Sequence, residues 1–446
     1  MSNPELEVIE LLLTAEVYDE SRALDEDDIP PRYRRVFWSE GTFERPLTVT
    51  ASIARSATGI DQPWETISGL MFTERDQFSG KISINNRDMA EEWFLSRVDS
   101  DRVQSNPTLA YRFEDHEDAP EGIDYETARE NNRPIRADRV WIDSLLEEYF
   151  DEEEEQDMLD LVEIRAPEEI ETTLDDIVLT DNQEAEITKL VKAIEHREYL
   201  AEIGLKEVGK LLFIGPPGTG KTSAARGLAH ELDLPFVEVK LSMITSQYLG
   251  ETAKNVDKTF EVAKRLSPCI LFIDEFDSVA KTRTSDEHAA VKRAVNTLLK
   301  SIDEVSLIDD EVLLIGATNH PDQLDAAAWR RFDEIVNFPK PDVKMREDIL
   351  RLITHDMEIK DFDPEAVAKK TDGLTGSDLR MVLREAVLEA LTEERTALTQ
   401  SDLMSAIEEF EQRDTLKNLD MIEGDHEALI AGGLPGESDS GHSHNH

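Results

Sequence analysis

Residues 215–222 read Gly215-Pro216-Pro217-Gly218-Thr219-Gly220-Lys221-Thr222, and they settle how the middle of this chain folds. They fill the pattern G-x-x-x-x-G-K-[ST]. The apolar run Lys210 to Ile214 precedes them, and Ser223-Ala224-Ala225 opens a helix after them. Strand, glycine-rich turn and helix in that order make a phosphate cradle. Glycines let backbone N–H groups converge on an anion, and the helix N-terminus adds the positive end of its dipole. A lysine at this position reaches β- and γ-phosphates, and the following hydroxyl ligates Mg²⁺. Gly215, Pro216, Pro217, Gly218, Thr219, Gly220, Lys221, Thr222 and Ser223 are therefore candidate nucleotide contacts, with Thr222 also a metal ligand.

Two further runs belong with this loop. Cys269-Ile270-Leu271-Phe272-Ile273 ends in Asp274-Glu275, and Asp274 lies 53 residues after Lys221 (274 − 221). A strand ending so puts two carboxylates at the sheet's carboxyl edge, Asp274 for the Mg²⁺ shell and Glu275 to polarise an attacking water. Leu314-Ile315-Gly316-Ala317-Thr318 delivers Asn319 to the same edge. By its residues alone Asn319 reads equally as a γ-phosphate or water contact and as a strand-end turn.

Apolar strands at Leu211–Gly215, Phe236–Val239, Ile270–Asp274 and Val312–Ala317 alternate with helical segments. This predicts an α/β fold, a mostly parallel sheet with helices on both faces. From Asp342 to Gln412 the pattern is helical only. Pro364 and Ser401 read as helix starts, and Gly373 and Gly376 as breaks. Residues 1–165 hold four tryptophans (Trp38, Trp64, Trp93, Trp141) and alternating runs at Leu47–Ile53 and Lys81–Ile84. They read as a small α+β domain without a chemistry motif. Trp141 to Tyr149 has helical spacing and leads into the acidic run 151–155, a solvated helix face or linker edge. The expected domains are 1–165, 166–340 (nucleotide-binding), 341–412 (helical lid) and 413–446 (disordered acidic tail).

Composition narrows the function. Among 446 residues, Asp and Glu number 98 and Lys and Arg 48, for a net charge of −50; residues 1–188 contain one lysine, Lys81. Duplex DNA and anionic membranes need basic patches, so this surface argues against both as partners. Acidic residues spread along the whole chain fit a high-salt cytoplasm, as in a halophilic archaeon, where the Debye length falls to about 3 Å. No apolar run of membrane-spanning length occurs, and the acidic first residues do not read as a secretory signal. One cysteine, Cys269, excludes an intrachain disulfide. A cytoplasmic location follows as the expectation.

From about 172 to 410 the chain resembles the AAA-type ATPases. The resemblance rests on Gly215–Thr222, Asp274-Glu275-Phe276-Asp277, Gly316 to Pro321, Leu324-Asp325 to Arg330-Arg331-Phe332-Asp333, and Gly373 to Leu379. It implies a Mg²⁺-dependent ATPase that works as a homo-oligomeric ring, usually a hexamer. It also implies Asn319 as γ-phosphate sensor and Arg330, Arg331 or both as arginine fingers. Tyr248-Leu249-Gly250 stands where the family carries an aromatic pore loop that grips a substrate chain. Asp176-Ile177-Val178 and Gly376-Ser377 match adenine contacts. There are departures. Ala328-Trp329-Arg330-Arg331 replaces Arg-Pro-Gly-Arg, and Gly250-Glu251-Thr252-Ala253 replaces Gly-Glu-Ser-Glu. No His-Glu-x-x-His occurs, and the ending His442-Ser443-His444-Asn445-His446 is not the hydrophobic-Tyr-x ending by which related rings dock on proteasomes. Its alternating histidines read as a solvated tail rather than a metal site. The expected activity is ATP-driven unfolding or remodelling of proteins that the N-terminal domain recruits directly or through adaptors. The alternatives are a nucleotide-gated assembly factor that does not thread its partners and, behind it, a nucleic-acid motor.

Overall fold

The computed structural model describes residues 3–39, 42–77, 79–205, 208–241, 252–280 and 289–423. By contact these form two compact units. The first takes in the described parts of 1–175, 179–215 and 221–337; the second takes in 176–178, 216–220 and 338–446.

The first unit begins with helix α1, Pro4–Glu20, capped by the Asn3 side chain. Leu6, Val8, Ile9, Leu11, Leu12 and Leu13 are all buried, and so are the polar Glu10 and Thr14, so α1 is enclosed on nearly every side and sits inside its own core. Shorter helices from Pro31 to Glu130 surround it, with two small antiparallel pairings, Trp38–Ser39 on Thr42–Phe43 and Thr73–Arg75 on Ile82–Ile84. The strand expected at Lys81–Ile84 is present. The one expected at Leu47–Ile53 is not: the Thr50 hydroxyl accepts the Ile53 N–H and caps a helix, Ala51–Thr58. A threonine that can cap offers the backbone an alternative to strand pairing, which the alternation alone did not reveal.

The sheet of this unit has six strands: β1 Val162–Arg165, β2 Lys210–Ile214, β3 Phe236–Val239, β4 Cys269–Ile273, β5 Val312–Thr318 and β6 Glu334–Asn337. Their order is β6-β2-β5-β4-β3-β1, parallel except for the antiparallel pair β1–β3. Every residue of β4 and β5 is buried, the run expected of parallel strands covered on both faces. Helices α2 Lys221–Glu231, α3 Thr252–Arg265 and α4 Ala289–Glu304 belong to this layer. α3 and α4 turn Val256, Phe260, Leu298, Leu299 and Ile302 into the core. The boundary expected at 165 is corrected. β1 lies within the segment assigned to the N-terminal domain, yet it pairs with β3, and Phe150, Met158 and Leu161 join the core of the sheet.

The second unit contains α5 Val343–Ile353, α6 Pro364–Lys370, α7 Gly376–Thr392 and α8 Gln400–Glu423. Asp342, Asp363 and Thr375 cap the first three. Leu350, Val367, Val382, Ala386, Leu403 and Ile407 form its core. It is not helical throughout, because Ile359–Lys360 pairs in parallel with Leu398–Thr399. Residues 413–423, expected in a disordered tail, continue α8. Residues 424–446 lie outside the described residues, the terminal histidines included.

Candidate active site

The carboxyl ends of β2, β4 and β5 bring the predicted residues of the first unit together. Gly215 leaves β2 with its N–H on the Thr318 carbonyl at the end of β5, 3.3 Å away. Lys221 opens α2, and its Nζ donates to the Gly215 carbonyl and to Asn319 Oδ1, each at 2.8 Å. The Thr222 hydroxyl donates to Asp274 Oδ2 at 2.8 Å. Lys221, Thr222, Asp274 and Asn319 thus meet from separate parts of the sequence. Lys221 is 6% exposed. Burial pulls its ammonium pKa below the usual lysine range, and the charges of Asp274 and Asp277 oppose that pull.

Glu275 is exposed and has φ 46°, a conformation that costs a residue with a Cβ on the order of 1 kcal/mol or more. The next residue holds the backbone in this state. The Phe276 N–H donates to the Ala317 carbonyl at 2.8 Å, and its buried ring packs edge-on against Phe332. The Glu275 N–H donates to Asp274 Oδ1 at 2.8 Å. Asp274 therefore accepts a bond on each oxygen while the Glu275 side chain stays in solvent.

Within the second unit, the tip of the loop meets the start of α7. The Ser377 N–H donates to the Gly218 carbonyl at 3.2 Å. Gly218 has φ 77°, and a Cβ there would stand 2.7 Å from Thr375 Oγ1 and 2.8 Å from Ser377 Cβ, so a side chain is excluded twice over. The Ile177 Cγ2 methyl lies 3.7 Å from where a Cβ on Gly220 would be. The segments 176–178, 216–220 and 376–377 thus lie within the same unit.

The arginine pair separates. Arg331 Nε donates to the Leu299 carbonyl and to Asp303 Oδ2, both at 3.0 Å, and its Nη1 donates to the Ala327 carbonyl at 2.6 Å. Arg330 is exposed, and its side chain makes no hydrogen bond or ion pair among the described residues. Tyr248, Leu249 and Gly250 lie outside the described residues.

Two residues here stand inside the sequence motifs but carried no expected role. Asp333 accepts the Lys210 N–H on Oδ2 at 2.9 Å and donates its own N–H to the Lys210 carbonyl at 2.8 Å, tying the start of β6 to β2. Asp277, buried, accepts the Thr318 hydroxyl at 2.7 Å. The acidic run ending at 277 was the available signal, but nothing in it told a buried carboxylate from an exposed one.

The donor set suits Mg²⁺. Thr222 and Asp274 offer two hard oxygens side by side, and among the described residues no group of three His, Cys, Asp or Glu could cage a metal. Mg²⁺ is ordinarily held by one or two protein oxygens, phosphate and water, which two such ligands satisfy.

Residues 211–340 match the ATPase family associated with various cellular activities (AAA), and residues 361–405 match the AAA+ lid domain. An uncharacterized AAA family ATPase of Sinorhizobium fredii, y4kL, is 39% identical over 246 residues, 55% of this chain and 73% of that protein. The chain belongs to the AAA family and is an ATPase. The proteasome-activating nucleotidase of Pyrococcus horikoshii is 39% identical over 232 residues, 50% of this chain and 58% of the nucleotidase. That of Methanococcus maripaludis is 37% identical over 245 residues, 54% and 60%. The chain thus spans less than two thirds of these nucleotidases. Among the described residues no helix is long and apolar enough to cross a membrane.

Proposed function

We propose that this ATPase assembles as a homo-oligomeric ring, a hexamer, in the cytoplasm and uses ATP hydrolysis to unfold or remodel proteins recruited by its N-terminal domain. The observation that carries the reading is the meeting of Lys221, Thr222, Asp274 and Asn319 at one sheet edge, in a chain similar to proteasome-activating nucleotidases. Residues 215–223 wrap the phosphates, and Lys221 places its charge on them. Thr222 and Asp274 hold Mg²⁺, which when bound neutralises charge on the phosphates. Glu275, outside the bond that its own N–H makes to Asp274, takes up the proton side of the attacking water. Asn319 orients the γ-phosphate or that water. Residues 176–178 and 376–377 flank the base. Arg330, exposed and with a side chain unengaged among the described residues, reaches the nucleotide of the next protomer, while Arg331 braces α4. Tyr248, Leu249 and Gly250 grip the substrate chain in the pore.

Glu275→Gln is the test. The variant should retain ATP, release no phosphate and hold a ring that captures protein partners; normal phosphate release removes the role of Glu275. Tyr248→Ala, measured beside it, should hydrolyse ATP but fail to unfold a tagged protein. If unfolding survives, the non-threading assembly factor is the better account. Both are assayed in dilute buffer and in molar KCl. An ATPase rate that falls rather than rises with salt removes the high-salt reading of the −50 charge.

A further inference from the structure

We infer that Asp277 is a positioning residue that holds Asn319 in register with the phosphate loop through the hydroxyl of Thr318. This rests on the role proposed above for Asn319.

Thr318 is the last residue of β5 and is fully buried; Asp277 is 6% exposed. The Thr318 hydroxyl donates to Asp277 Oδ1 at 2.7 Å and accepts the His320 N–H at 3.0 Å. One hydroxyl therefore uses its single hydrogen and a lone pair on either side of Asn319. The carboxylate fixes the direction of that hydrogen, and so leaves a lone pair facing His320. Without Asp277 the hydroxyl becomes a free rotor able to turn toward a nearby carbonyl, and the His320 N–H loses a defined acceptor. Asn319 stands between the two pinned residues and accepts from Lys221 Nζ at 2.8 Å. A second bond fixes the same pair of segments one step earlier, from the Phe276 N–H to the Ala317 carbonyl at 2.8 Å.

Chemistry argues that this arrangement is more than a strand end. Burying a carboxylate against a hydroxyl is expensive compared with an apolar or amide side chain that would also end the strand. Asp277 lies three residues beyond Asp274, so one short turn carries the candidate metal-side carboxylate at one end and the clamp on Asn319 at the other. The turn thereby couples the placement of the two groups.

The prediction concerns kcat more than KM, because misplacing a group that acts on the transferred phosphoryl or the water costs turnover rather than ground-state binding. In the full chain, Asp277→Ala should lower the kcat for ATP by ~10- to 100-fold with KM changed by less than ~3-fold. Asn319→Ala should lower kcat at least as far, and the double variant should be no slower than Asn319→Ala alone. Thr318→Val should match Asp277→Ala, while Thr318→Ser, which keeps the hydroxyl, should stay near the wild-type rate. This last pair also carries the test if Asp277→Ala does not fold. A double variant slower by the product of the single effects overturns the inference, as does a Thr318→Val variant with wild-type kcat. If Asn319→Ala itself turns over normally, the role of Asn319 falls, and that failure is distinguishable because it appears without any Asp277 variant.

Discussion

The N-terminal helices and the nucleotide-binding sheet bury charge in opposite ways. Among the helices, carboxylates face guanidinium groups. Glu10 is wholly buried, contacts Arg32, and accepts from Arg102 Nε at 2.7 Å and from Asn106 at 3.2 Å. Glu91 takes Arg87 at 2.7 Å and Arg112 through both oxygens at 2.8 and 2.9 Å. Burial would raise the pKa of Glu91, but the two arginines outweigh it and hold the carboxyl below its usual range. At the sheet edge, Asp274 and Asp277 accept from hydroxyls and a backbone N–H instead. A carboxylate saturated by arginine is committed to architecture, whereas one held by neutral donors keeps its charge available to a cation. The lone lysine among residues 1–188 acquires a second meaning here: arginine's planar fork can match a buried carboxylate bidentately, which lysine cannot.

The same contrast is compressed into the neighbours Arg330 and Arg331, and they give its sharpest test. Arg330→Ala should reduce kcat on the order of 10³-fold, the usual worth of an arginine that stabilises phosphoryl transfer, without moving the melting temperature. Arg331→Ala should do the reverse, lowering the melting temperature through its lost bonds to Asp303, Leu299 and Ala327, with a much smaller change in kcat. Steady-state ATPase rates and thermal melts of both variants decide it. Exchanged phenotypes would mean that the intrachain bonds of Arg331 are given up in the ring.

Glu10 tests the other side of the contrast. Glu10→Ala leaves Arg102 and Asn106 short of an acceptor inside the helical core, and should destabilise that domain by about 3 kcal/mol in urea unfolding. The ATPase rate should stay within about twofold, since no part of the site depends on this cluster. A large fall in ATPase rate with unchanged unfolding would assign Glu10 a role in the ATPase and break the distinction.

Legibility in the sequence divides along the same line. Strands β2 to β5 were legible because parallel strands covered on both faces read as continuous apolar runs, and the loop at 215–222 because its backbone geometry demands particular residues. The edge strands were not. Val162–Arg165 alternates with charge a few residues after the acidic run 151–155, and Glu334–Asn337 holds only two apolar residues, Ile335 and Val336, between polar ends. Lys221, Thr222, Asp274 and Asn319 could be named in advance because each ends or follows a readable element. Asp277, Asp333 and the parting of Arg330 from Arg331 could not, because burial and hydrogen-bond partner are properties of the folded chain. In the helical domain the arginines are scattered, and their pairings join residues as far apart as Asp25 and Arg129. No local pattern announces such a pair.

A half-exposed version of the arginine–carboxylate pair, in the second unit, marks the lower limit of what such contacts contribute. Arg395 grips Asp402 through both oxygens at 2.9 and 3.0 Å, and Asp402 also accepts the Thr399 N–H at 2.8 Å at the start of α8. Arg395 first, then Thr399, holds the Asp402 carboxyl down to about 2 against the opposing pull of burial. Its folded pKa thus lies below the ordinary 3.8. The linked stability is complete above about pH 4 and is lost as pH falls toward 2. Asp402→Asn should therefore melt lower than the wild type at pH 7, by no more than about 1 kcal/mol because solvent screens the pair, and the two curves should converge as the pH is lowered from 4. Molar KCl should shrink the Arg395 part of the difference and leave the part due to the Thr399 N–H, because screening acts on the ion pair and not on a cap bond. A gap that stays constant from pH 7 to 3 would assign the loss to cap geometry alone. The guanidinium would then matter to this domain only where it is buried, as it does around Glu10.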